Sequence, residues 1–248
     1  MGRIEAAQAA FTEIYKKDVW GIAKDIEPEP GNVEQYIKLV QEFMRQNEIR
    51  SVVEFGCSVW QHLSRIDWQG IEYDGFDIVK AVVDAATERH GADNIRFHVV
   101  GEGTRLPRAD LLICKDVLQH LPNNDIKYYL RLFKGLYKYL LITDDVYPDI
   151  ALNHDIPHGG YRAVRLDIEP FNEQCAVLQR LAGTTFGIDW VKHTSLQFGT
   201  PPADGLTEGL ALTDGPTVNS REALLPRRIG SRLKRIVSRV YPLNRRGK

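Results

Sequence analysis

Residues 50–77 read RSVVEFGCSVWQHLSRIDWQGIEYDGFD, and this stretch decides the fold. An apolar run, Ser51-Val52-Val53-Glu54-Phe55, stops at Gly56. A polar turn and an expected helix over 59–66 follow, and a second apolar run ends on Asp77. The pattern is a strand, a glycine turn, a crossover and a second strand closed by a carboxylate. In a parallel α/β sheet that arrangement holds an adenosine: the glycine lets backbone approach the ligand, and the acid takes two ribose hydroxyls. Roughly twenty residues separate glycine from acid, as that geometry requires.

Working outward, strand and helix patterns alternate. Strands are expected near 51–55, 71–76, 95–100, 109–114 and 137–143, with helices near 59–66, 79–90 and 122–134. Two earlier helices are read over 4–17 and 33–45, the first from Ile4, Ala7, Phe11, Ile14 and Tyr15 on one face, the two separated by Glu27-Pro28-Glu29-Pro30-Gly31. Alternation of this kind predicts an α/β fold, a doubly wound, Rossmann-like and mostly parallel sheet with flanking helices. After Asp145 the pattern loosens into a loop over 147–160, and two further strands are expected near 162–168 and 190–198. The organisation expected is a helical lead-in able to act as a lid (1–30), a ligand-binding domain (31–198), a Gly/Pro/Thr/Asp-rich linker (199–220) and a basic tail (221–248).

With 248 residues and 43% hydrophobic content, the chain can bury one good core. No apolar run approaches the ~18 residues that span a bilayer, and MGRIEAAQAAFTEIYKK carries charges where a secretion signal needs its apolar region. Cys57, Cys114 and Cys175 are isolated and fit neither a zinc spacing nor a disulfide framework. A reduced, cytoplasmic setting is therefore expected. The formal net charge of −1 hides an asymmetry. Residues 226–248 carry nine Lys/Arg and no acid, so setting them aside leaves −10 on residues 1–225. Any argument for nucleic acid or membrane rests on the tail alone.

The first turn is Glu54-x-Gly56-x-Ser58, which is not a dinucleotide fingerprint: Ser58 and Gln61 stand where GxGxxG needs glycines. Glu54 would repel a phosphate but can receive a cationic amino group. That favours a cofactor with an amino-acid moiety and argues against a nicotinamide-dependent oxidoreductase. The same turn also fits a purely structural role in another α/β protein.

Four segments in order, VVEFGCSVW (52–60), YDGFDIVK (73–80), ADLLICKDVLQHL (109–121) and YLLITDD (139–145), resemble the serial motifs of the class I S-adenosylmethionine-dependent methyltransferases. The resemblance covers roughly residues 45–145. FTEIYKKDVWG (11–21) and GGYRAVRLDIEPF (159–171) are similar to a branch common in bacterial glycan and secondary-metabolite gene neighbourhoods. It implies S-adenosyl-L-methionine as cofactor. Glu54 would hold its amino group, Gly56 and Ser58 the turn beneath it, and Asp77, with Ile78 beside it, the ribose. Lys115, Asp116 and Val117 would line the methyl-transfer mouth. Ser58 replaces the family's usual glycine. The acid usual after the third strand is missing, and Glu102 is the substitute expected at the adenine. Trp60 is placed to cover the cofactor, and Tyr15 and Trp20 to belong to a lid or to the core.

A sulfonium is already activated, so methyl transfer asks mainly for alignment in a dry pocket, plus a base where the acceptor is a hydroxyl. His120, just past Asp116, is the first candidate base, against a local role bonded to backbone. His154 and His158, with Asp155, form a denser group where acceptor-binding residues usually sit. Their HDxxH spacing also suggests a metal, but a polar surface loop is the favoured reading over a metal site, and no metal is expected. Asp144 and Asp145 end the fifth strand, where a pocket role and a turn role are equally open.

Leu225, Ile229, Leu233, Ile236, Val237, Val240 and Tyr241 recur at helical spacing among basic residues. Such a basic amphipathic helix suits an anionic membrane surface, an acidic partner or the chain's own acidic body. The absence of interleaved stacking aromatics argues against nucleic acid. The function expected is O-methylation of a sugar, glycan or small-molecule hydroxyl, with a non-catalytic binding module using the tail as the alternative.

Overall fold

The computed structural model describes residues 2–19, 30–147, 152–185, 188–201 and 210–212. Trp20, most of the expected linker and the whole basic tail lie outside the described residues. Two helices, α1 (Arg3–Lys16) and α2 (Pro30–Gln46), precede β1 (Ser51–Phe55) and β2 (Glu72–Asp77). Then come α3 (Lys80–His90), β3 (Ile95–Val99), the short β4 (Arg105–Leu106), β5 (Ala109–Lys115), α4 (Asn123–Leu136) and β6 (Tyr137–Tyr147). β7 (Ala176–Thr185), β8 (Ile188–Phe198) and β9 (Leu210–Ala211) follow, with β9 pairing with β4.

The seven-stranded sheet runs β3-β2-β1-β5-β6-β8-β7. β3, β2, β1, β5 and β6 are parallel, whereas β8 is antiparallel to both β6 and β7. The chain winds from β1 outward to β3 and then crosses to β5 on the other side of β1. The order therefore reverses between β1 and β5, and a crevice opens at their carboxyl ends.

Period-two alternation divides the core between the two faces of the sheet. Val53, Phe55, Leu112, Cys114, Leu140 and Ile142 pack with α4 residues such as Ile126, Leu130 and Phe133, and with Ile4, Ala7 and Phe11 of α1. Val52, Tyr73, Leu111, Ile113 and Leu141 face Tyr36, Val40 and Phe43 of α2. Glu54 shares the face of Val52, so its carboxyl enters an otherwise apolar layer.

Two expected elements are corrected. The segment 59–66 forms only a single 3-10 turn, Leu63–Arg65. Gly56 (φ 85°), Ser58 (φ 51°) and Trp60 (φ 56°) are all in the left-handed region, which interrupts a right-handed helix before it can start. Residues 162–168 do not pair as a strand. Their anchor is Arg162, 1% exposed, whose guanidinium donates to the carbonyls of Leu118 (2.8 Å) and Leu121 (2.7 Å) and to Asn123 Oδ1 (2.9 Å). The edge strand lies instead at Ala176–Thr185, with a register shift between Val177 and Gln179.

Candidate active site

A cavity of about 820 Å³ opens where β1, β2, β5 and β6 end, roofed by Ala7, Phe11 and Tyr15 of α1. Its floor is the turn after β1. Gly56 N–H and Cys57 N–H both donate to Phe76 O (2.7 and 3.1 Å), folding the turn across the end of β2. A Cβ on Gly56 would meet Val117 Cγ2 at 2.3 Å, so only glycine lets this turn and the segment after β5 approach so closely. Ser58 holds the left-handed conformation without glycine's help. Its N–H donates to Asp77 Oδ2 (3.0 Å), and Tyr15 Oη donates to its Oγ (2.9 Å).

Asp77 is buried, and its other oxygen accepts from Val79 N–H (2.9 Å). Burial raises its pKa and the backbone donors oppose that. Glu54 is also buried and accepts a hydrogen bond from Tyr73 Oη. Burial pushes its pKa up to about 8, against the Tyr73 bond and the Lys115 charge. The Trp60 indole packs against Trp68, Tyr73, His90 and Phe97, with ring centroids 4.8–5.6 Å apart. Its N–H closes no standard hydrogen bond but approaches Glu54 closely enough to favour the carboxylate. Trp60 is thus at once a core residue and cavity wall.

Ile78, Lys115, Asp116 and Val117 line the same cavity. Asp116, at φ 58°, donates its N–H to Thr143 O (2.7 Å) and pairs with both Lys115 and Lys192. Burial alone would raise its pKa, but the two ammonium groups hold it well below the usual carboxylate range. Lys192 also lies 3.4 Å from Asp145, and these two carboxylates overcome the effect of its burial and keep it charged. Tyr161 Oη donates to Asp145 Oδ2 (3.1 Å), and Trp190 and Leu181 close this end of the cavity.

The histidines separate. His120 is buried at the cavity wall, with Nδ1 2.8 Å from Gly160 O, a carbonyl that can only accept, so Nδ1 carries a proton. Burial lowers its pKa, opposed by that bond. His158 pairs with Asp125 (2.7 Å), which also meets Arg3 (3.1 Å); Asp125 lines the cavity, whereas His158 does not. The side chain of His154 is exposed, and its carbonyl serves Arg162 (3.2 Å). Glu102 is likewise exposed and absent from the lining, while Val100 contributes to the wall near the end of β3. Among the described residues no three His, Cys, Asp or Glu side chains gather in a way that could hold a metal.

Tyr73, Tyr161 and Lys192 are site residues that sequence reasoning missed. Tyr73 and Tyr161 lie within the quoted YDGFDIVK and GGYRAVRLDIEPF segments without being singled out there, and Lys192 occupies an ordinary alternating strand position that reaches the site only through sheet pairing.

No family model matches the chain, and no curated protein is similar to it in sequence. Solved structures do share its fold. Magnesium protoporphyrin IX methyltransferase (ChlM) from Synechocystis PCC 6803, solved with bound S-adenosylhomocysteine, is 15% identical with a TM-score of 0.55, covering 76% of this chain and 99% of its own. The N-methyltransferase NodS from Bradyrhizobium japonicum WM9 is 12% identical with a TM-score of 0.53, covering 71% and 100%. The N-terminal domain of EvdMO1, solved in the presence of S-adenosylhomocysteine and D-fucose, is 13% identical with a TM-score of 0.50, covering 70% and 85%. The chain therefore has the fold of S-adenosylmethionine-dependent methyltransferases.

Proposed function

We propose that this chain is an S-adenosylmethionine-dependent methyltransferase that acts on a hydroxyl of a sugar, glycan or other small molecule. The observation that carries the reading is the pairing of buried Asp77 with buried Glu54 across the Gly56 turn, in the crevice where strand order reverses. The residues present fit the cofactor. Each Asp77 oxygen accepts one backbone N–H and retains capacity for a ribose hydroxyl. Glu54, in an apolar layer, is a carboxyl suited to a cationic amino group, and Gly56 leaves room where a Cβ would intrude. The cofactor when bound supplies an electrophilic methyl group on a sulfonium. The chain's part is to bind, orient and keep water out, and the roof of α1 with the Trp190 wall serves that last task.

The acceptor class is supported by the polar end of the cavity, and by a neighbour of the same fold having been solved with D-fucose. Residues 225–248 suit an anionic membrane surface by composition and spacing. Loss of binding to anionic vesicles on deleting residues 221–248 is the expected result, and unchanged binding would exclude that role.

Thermal unfolding with and without S-adenosylmethionine, S-adenosylhomocysteine and NAD tests the activity reading. A ligand at ~100 times its Kd adds about 2.7 kcal/mol of stability. Stabilisation by both sulfur ligands, none by NAD, and loss of the effect in Asp77→Ala are expected. No shift with either sulfur ligand contradicts the proposal.

A further inference from the structure

The histidines account poorly for a base at the acceptor end of the cavity, and the cross-strand pair Asp145–Lys192 accounts for it better. Asp145 lies near the end of β6, directly opposite Lys192 of β8 in the antiparallel register, with a bulge just beyond at Tyr147. Its backbone is fixed on both sides: its N–H donates to Gln119 Oε1 (2.8 Å), and its carbonyl accepts from Val164 N–H (2.7 Å). The residue is 6% exposed and lines the cavity. Lys192 reaches from Asp145 to Asp116, which follows Lys115 at the end of β5. The pair thus stands beside the mouth where the cofactor residues end.

Resting on the methyltransferase reading above, we propose that Asp145 is the general base for a hydroxyl acceptor and that the Lys192 ammonium stabilises the developing oxyanion. The acceptor proton passes to the Asp145 carboxylate as the oxygen's electron pair forms the new C–O bond to the methyl group. The C–S bond breaks and its electron pair returns to sulfur, leaving a neutral thioether and an ether product. Charges balance across the step. Lys192 is no base itself, since the carboxylates of Asp116 and Asp145 keep it protonated. Burial raises the pKa of Asp145, against the opposing charge of Lys192, and a raised carboxyl is the stronger base. The other titratable groups facing it are Asp116 at the end of β5, Tyr161 from the segment after β6, and Asp144 on its own strand.

Two readouts test this. The first is transfer of labelled methyl from S-adenosylmethionine to 4-nitrophenol, methyl D-fucoside and benzylamine, across pH. The expected result is transfer to a hydroxyl acceptor, with kcat falling ~100-fold or more in Asp145→Asn, its pH dependence on the acid limb lost, and partial rescue in Asp145→Glu. The second needs no turnover: 4-nitrophenol is titrated into the S-adenosylhomocysteine complex at a pH where the free dye is mostly colourless phenol. The yellow phenolate is expected in the wild type and is weakened in Lys192→Met. Asp145→Asn within threefold of wild type, transfer confined to the amine or to none of the three, or no phenolate in the wild-type complex overturns the proposal. Calorimetry of S-adenosylhomocysteine with each protein separates the cases. Wild type that fails to bind it contradicts the methyltransferase reading itself, whereas binding retained in all three variants shows that the site is intact.

Discussion

Replacing Gly56 with alanine isolates the close approach on which the cofactor turn depends. Two effects add. The residue sits at φ 85°, and an L-side chain in the left-handed region costs about 1–2 kcal/mol. The new Cβ would also lie 2.3 Å from Val117 Cγ2, a β-branched side chain with little rotamer freedom, and such overpacking costs about 1–3 kcal/mol. A total near 3 kcal/mol lowers the melting temperature by roughly 6–12 °C for a domain of this size. Urea unfolding of Gly56→Ala, Val117→Ala and the double variant separates the two effects. Removing the valine γ-carbons in the double variant should recover the packing part, about 1–2 kcal/mol, and leave the backbone part. S-adenosylhomocysteine affinity should fall in Gly56→Ala and improve in the double variant, because a displaced Val117 occupies cavity space. A loss of stability below about 0.5 kcal/mol, or additive single effects with no coupling, refutes the steric reasoning.

Two other outcomes follow from the same structure. Arg162→Met removes a buried guanidinium and strands the carbonyls of Leu118 and Leu121, so a loss of about 2–4 kcal/mol is expected as a lower urea midpoint at unchanged m-value. For Glu54, the carboxyl titrates at about 8 in the folded chain against an ordinary value of 4.5. Folding therefore tightens its hold on a proton: this stabilising contribution is fully present below pH 4.5 and is lost as pH rises through 8. Pairing with a cationic amino group requires the ionised form, so affinity for S-adenosylhomocysteine should rise from pH 6 to about 8. Calorimetry in buffers of different ionisation enthalpy should show proton release at pH 7, and affinity independent of pH over that range would contradict the assignment.

The part of the fold carried by local pattern was legible in the sequence. β1, the glycine turn and β2 announce themselves because two apolar runs flank a residue that tolerates positive φ, and the acid falls at the strand's end. The failures have physical causes. The helix expected over 59–66 fails because residue types there do not encode the left-handed conformations of Ser58 and Trp60. Ser58 looked like a missing glycine, yet hydrogen bonds from Tyr15 and to Asp77 hold it in the conformation a glycine would take. Apolar residues at 162–168 mimicked a strand whose backbone is in fact organised around the Arg162 guanidinium. The Asp116–Lys192–Asp145 cluster joins residues 76 positions apart through the antiparallel β6–β8 pairing, and no local periodicity encodes such a meeting.

A crystal structure of the chain with S-adenosylhomocysteine tests the central claim most directly. The ribose hydroxyls are expected on the Asp77 carboxylate, the amino group beside Glu54, and the sulfur directed toward Asp116 and the Asp145–Lys192 end. A ligand bound away from the Gly56 turn, or one that leaves Asp77 without contact, would contradict it.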